Sequence, residues 1–81
     1  MSRSSRLLVP RLPVFSGKDV CRILTLHGFT EIRRRGSHIV MQMKTKTSTV
    51  TVPVPDHKEL RIGTLQAIIR QSGLPKDVFI S

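Results

Sequence analysis

The period of the hydrophobic pattern changes twice along this chain, and those two changes leave few folds open. Val20, Ile23, Leu24 and His27 recur at helical spacing. From Phe29 to Val54 the apolar residues alternate with polar ones instead. Phe29 and Ile32 stand among polar neighbours up to Arg35. Ile39, Met41 and Met43 form one face of a strand, with His38, Val40 and Gln42 on the other. Val50, Val52 and Val54 then alternate with threonine and Pro53, as in a half-buried strand. Ile62, Leu65, Ile68, Ile69 and Ser72 return to the helical period.

The residues between these segments act as punctuation. Ser16 reads as a helix N-cap with Asp19 as the acidic third position, and Gly28 ends a helix of about eleven residues. The polar stretch Lys44 to Ser48 is a turn. Pro53 places the third strand at an edge or at its end. Pro55 to Glu59 is a loop, and the second long helix runs from Arg61 or Ile62 to Ser72, stopped by Gly73. Pro75 to Phe79 adds a last helical turn, with Phe79 packing down. The order is α-β-β-β-α, an α+β fold. Two helices cover one face of a three-stranded antiparallel sheet and leave the other face open to solvent. His38 alternates with Ile39, so it belongs to the open face.

At 81 residues the chain makes one domain with a small core. Residues 1–15 differ from the rest, being Ser/Arg-rich and interrupted by Pro10 and Pro13. They read as a flexible basic arm before a folded unit at 16–81, with Leu12, Val14 and Phe15 laid against the core. Fourteen Lys and Arg against five Asp and Glu give a net charge of +9, which calls for a polyanionic partner. No apolar stretch nears the ~20 residues of a spanning helix, and no helix opposes a lysine face to large apolar residues as a membrane-surface helix does. Leu7-Leu8-Val9 is too short for a signal-peptide core, and Pro10 and Arg11 interrupt it. The single Cys21 has no disulfide partner in the chain and fits a reducing compartment. The chain therefore reads as soluble and cytoplasmic, with no membrane partner. The bland alternative is a solvated basic surface of a ribosomal or chromatin-like fragment.

The chemistry concentrates at Gly36-Ser37-His38, which follows Arg33, Arg34 and Arg35. Imidazole titrates near neutrality and moves protons, and guanidinium offers a phosphate fixed charge and forked donors. RNA carries its own nucleophile, the 2′-hydroxyl beside the scissile phosphate. A base that takes its proton lets it attack, which is typically worth about 10² to 10⁴ in rate. A well-placed charged donor on the phosphoryl oxygens adds roughly 10² to 10³. His38 is the candidate general base or acid. The three arginines alternate in direction, so one or two face the RNA. Ser37 is a candidate for bonding the phosphate or orienting the ring. Gly36 permits a close backbone approach, or a bulge that re-aims His38. Lys58 and Arg61, near the start of the second long helix, are candidate phosphate contacts beside its free amides.

Each assignment has a plainer counterpart. A lone strand histidine is more often structural than catalytic, and an arginine run is by default a solvated strand. His57 is either a second proton donor or a residue that orders the loop before the helix. His27, on an apolar stripe, reads as packing. Cys21 belongs in or beside the core, and Met41 and Met43 are core fillers. Histidine, cysteine and acids show no metal-ligand spacing, and glycine-rich phosphate loops are absent, so no metal or cofactor is expected.

Several of these segments carry a resemblance. Ser16-Gly17-Lys18-Asp19-Val20, then Leu26-His27-Gly28-Phe29, then Arg35-Gly36-Ser37-His38 is similar to the pattern of the HicA (YcfA-like) toxin family. Val52-Pro53-Val54-Pro55 with His57 continues it, and Leu60 to Gly73, with Gly63-Thr64-Leu65 and Ile68-Ile69-Arg70-Gln71-Ser72-Gly73, completes it. The similarity spans about positions 13 to 80. It implies a fold like a small double-stranded-RNA-binding domain. It implies an mRNA interferase that cuts single-stranded or structured mRNA without the ribosome. It further implies a HicB antitoxin, encoded next to the toxin, that masks the active site. The functional histidine it implies is His38. Many members follow that residue with a second histidine where this chain has Ile39, which removes any mechanism needing two adjacent imidazoles. Two rivals remain at this level. A non-catalytic basic RNA-binding module would use the same surface, although Phe15, Phe29 and Phe79 read as structural and leave no stacking platform. A helix-turn-helix DNA reader is disfavoured because strands separate the two long helices.

Overall fold

A computed structural model describes residues 14–80. The order is α1 (Gly17–Leu26), β1 (Thr30–Arg35), β2 (His38–Lys44), β3 (Thr49–Pro55), α2 (Ile62–Ser72) and α3 (Asp77–Ile80). The strands form an antiparallel sheet in the order β1-β2-β3, so the α+β reading holds.

Local chemistry accounts for the helix ends. At α1 the Ser16 hydroxyl accepts the Asp19 N–H at 3.0 Å, and the Asp19 carboxylate accepts the Ser16 N–H at 3.1 Å. This capping box satisfies two amides that a helix start leaves orphaned. Gly73 closes α2 in the left-handed region, at φ 73°, where a side chain would be strained. Its neighbour Ser72 is buried and bonded at 2.7 Å to the Ile69 carbonyl, so the polar residue on the apolar stripe is satisfied within its own helix.

Alternation places the core. Ile39 and Met41 of β2 and Val52 and Val54 of β3 face Val20 and Leu24 of α1 and Leu65, Ile68 and Ile69 of α2. Phe29 and Phe79 are fully buried in the same cluster. Phe79 reaches it from α3, as the sequence predicts. Pro53 and Pro55 pair with Val40 and His38, two residues apart. On an edge strand that spacing turns both missing N–H groups away from the ladder.

β1 carries a bulge between Glu31 and Arg33, and Ile32 is 45% exposed. Two expectations change. His27 is exposed at the C-cap of α1, because the helix ends at Leu26, one residue before the stripe would carry His27 inward. Val14 is 69% exposed, whereas Phe15 packs on the core and its carbonyl accepts the Leu60 N–H at 2.8 Å. Leu12 and the rest of the expected arm lie outside the described residues.

Candidate active site

Two residues, Gly36 and Ser37, join β1 to β2, with Arg35 paired to His38. Gly36 has φ 56°, and no residue other than glycine has a positive φ among the described residues. A positive φ at only the first central position is the type II′ pattern, whose twist suits a hairpin. Gly-Ser is thus a turn requirement. The bulge that sequence reasoning allowed at Gly36 sits instead at Ile32.

The register builds the site. His38 lies directly across from Arg35 on one side and from Pro55 on the other. Arg33 lies across from Val40, two residues along the same face. Directly opposed side chains have Cβ atoms about 4.5–5.5 Å apart. One exposed imidazole therefore stands among two exposed guanidiniums on the face that no helix covers. The open face continues through Gln42, whose amide donates to the Thr51 hydroxyl at 3.3 Å. It ends in a shallow depression lined by Gly28, Thr30, Ile32, Gln42 and Lys44.

Arg34 goes the other way. It pairs with Ile39 and so lies on the helix side, where its guanidinium donates to the Asp56 carboxylate at 2.7 Å. Of the three arginines, this one is engaged within the protein. The bridge ties the β3–α2 loop to β1, and a 2.6 Å bond from the Asp56 N–H to the Ser37 carbonyl ties it to the hairpin turn. Sequence reasoning missed the bridge; adjacent Asp56 and His57 carried no sign of a partner 22 residues away. Lys58 and Arg61 are exposed on the same loop, Arg61 at the N-cap of α2 with no side-chain capping bond. Neither is in register with His38.

The Arg34 hydrogen bond holds the Asp56 carboxyl below its ordinary value, and the Ser16 backbone N–H does the same for Asp19. A carboxyl whose folded pKa is depressed stabilises the fold above its unfolded value, near 3.8, and that stability is lost as pH falls through the folded value. Asp56→Asn is therefore expected to melt below wild type at pH 6 and to approach it at a pH well below 3.8, once the folded carboxyl is protonated. Thermal melts at the two pH values check this. A gap of the same size at both would assign the effect to something other than charge.

Cys21 is half-buried beside the core, and burial pushes its thiol up to about 11. It is not an activated nucleophile. A larger hollow lies on the helix side, lined by Gln66, Ile69, Arg70, Gly73, Leu74 and Lys76. It holds no histidine, cysteine or carboxylate. No group of three His, Cys, Asp or Glu side chains gathers among the described residues, and none of the described helices is long and apolar enough to cross a membrane.

These features define a class: a small basic α+β domain whose open sheet face carries an exposed imidazole with two guanidiniums on the adjacent strand. The family described as the HicA toxin of bacterial toxin–antitoxin systems matches residues 17–74, which is most of the chain. The chain belongs to the HicA toxin family. Curated proteins contain no match to it. Membership makes the chain a toxin of a toxin–antitoxin system and gives it an antitoxin as partner; HicA toxins are generally RNases.

Proposed function

We propose that this chain is an endoribonuclease, the toxin of a type II system, cleaving mRNA in the cytoplasm with the RNA 2′-hydroxyl as nucleophile. The observation that carries the reading is the exposed His38 across from Arg35 on the open face. His38 acts as general base or acid within hydrogen-bond reach of the ribose or the leaving oxygen. Arg35 and Arg33 hold the phosphoryl oxygens and offset the charge that develops on them. Gly36 and Ser37 set the turn from which the ring projects, while Lys58 and Arg61 add positive charge on the β3–α2 loop. Arg34 contributes by holding the loop. Because RNA supplies the nucleophile and the protein supplies proton transfer, the reaction needs no metal.

The direct test is cleavage of a defined RNA by wild type and His38→Ala, side by side, in EDTA. Cleavage by both, or by neither, rejects the assignment. Binding without cleavage would leave the basic RNA-binding module.

The antitoxin follows from the same surface. A HicB-like partner is expected to cover His38 and turn acidic or polar groups toward Arg33 and Arg35. Adding the neighbouring gene's product in equimolar amount should stop cleavage. Cleavage that continues unchanged at saturating partner would contradict this mode of control.

A further inference from the structure

One imidazole cannot serve both ends of this reaction. The 2′-hydroxyl must lose a proton while the departing 5′-oxygen gains one, and the two oxygens lie on opposite sides of the phosphorus in an in-line displacement. From the position of His57 relative to His38, we infer that His57 is the second proton-transfer residue of the site. This inference rests on the endoribonuclease reading.

Three observations carry it. First, the ladder runs past the end of β3. Pro55 pairs with His38, and the Asp56 N–H then bonds the Ser37 carbonyl at 2.6 Å, which continues the antiparallel alignment by one residue. Second, alternation is kept through that step. Asp56 turns to the helix side, where Arg34 meets it at 2.7 Å, so the next residue turns to the side of Arg35 and His38. His57 is exposed. It stands two positions beyond the residue opposite His38, where a ladder continued that far makes it a diagonal neighbour, a relation with a usual spacing of about 7–8 Å. A spacing of that order leaves room for a phosphodiester between two rings. Third, the backbone around His57 is held on both sides. Its carbonyl accepts the Gly17 N–H at 2.8 Å, and the preceding residue is pinned by Ser37 and Arg34. Asp56 and His57 together are thus tied to the start of α1, to the hairpin turn and to β1, which holds the backbone from which the His57 ring projects.

The step balances as follows. One neutral imidazole takes the 2′-hydroxyl proton as the 2′-oxygen bonds to phosphorus. The other, entering protonated, gives its proton to the 5′-oxygen as the phosphorus–5′-oxygen bond breaks. The products are a 2′,3′-cyclic phosphate and a 5′-hydroxyl end. The two rings have exchanged protonation states, and water restores them.

The experiment compares wild type, His57→Ala, His57→Gln and His38→Ala in EDTA. The substrates are an ordinary RNA and one whose scissile 5′-oxygen is replaced by sulfur. Thiolate leaves without being protonated, so loss of the general acid no longer matters with the second substrate. Both His57 variants are expected to cut ordinary RNA about 10² to 10⁴ times more slowly and to lose one limb of the bell-shaped pH–rate profile. The sulfur substrate should restore cleavage by variants at one of the two histidines and not the other, and this names the acid. His57→Gln keeps the size and hydrogen bonding of the side chain, so a purely structural role would leave its profile bell-shaped. His57 variants that cut at the wild-type rate, or that slow without any change in profile or sulfur rescue, overturn the inference and leave His38 as assigned. Wild type that fails to cut, or His38→Ala that cuts normally, removes the underlying reading as well.

Discussion

Replacing His38 with alanine is expected to abolish growth arrest and lower the rate of RNA cleavage by about 10² to 10⁴, the usual worth of a general acid or base. The fold should not notice. His38 is exposed, and a surface substitution away from special features stays within about 0.5 kcal/mol. Its backbone remains pinned by the two-residue turn and by both neighbouring strands. Single-turnover cleavage in chelator, read beside a thermal melt, separates chemistry from stability. An alanine variant with an unchanged melt that still cuts would sink the assignment. RNA affinity supplies an internal control, because binding comes from cations that the substitution leaves in place. It should fall with salt as before, with a slope of about 0.7 per phosphate contact on single strands.

The second large effect lies far from the imidazole in sequence. Gly17→Ala is expected to destabilise the domain by about 2–3 kcal/mol, a severe case of overpacking. A Cβ at this position would overlap the Pro55 carbonyl oxygen and come within 3.0 Å of the Asp56 Cα. Both are main-chain atoms of the segment carrying His57, so no rotamer change relieves the clash. The melting temperature should drop by about 10–20 °C for a domain this size. Cleavage by the fraction still folded should also fall, since the start of α1 and the β3–α2 loop would be pushed apart. Gly63→Ala is the control. Nothing lies within 4 Å of a Cβ built there, in the first turn of α2. Alanine is the better helix former, so a gain of up to about 1 kcal/mol is expected. Equal melts for the two variants would refute the steric argument.

Much of the architecture could be read before any coordinate. The threonine–valine alternation of β3, the Ser16–Asp19 cap, the Gly73 stop and the turn of Phe79 into the core are local signals, each set by residues a few positions apart. His38 was legible for the same reason: its place on the open face follows from alternation with Ile39. The bulge at Ile32 was not legible. It leaves Ile32 unpaired and exposed, and nothing in Glu31-Ile32-Arg33 marks an extra residue. His27 was misplaced because one residue at a helix end decides between core and solvent.

Periodicity and caps, which depend on near neighbours, were enough to determine the α-β-β-β-α order, the buried face and the exposed imidazole. Only the tertiary structure decided which arginines stand beside that imidazole, why Gly17 tolerates no side chain, and where His57 lies. Those depend on strand register and on contacts such as Arg34 with Asp56, between residues 22 apart. Two residues that never meet along the chain leave no mark in its local pattern, and register brings them together only once the core has formed.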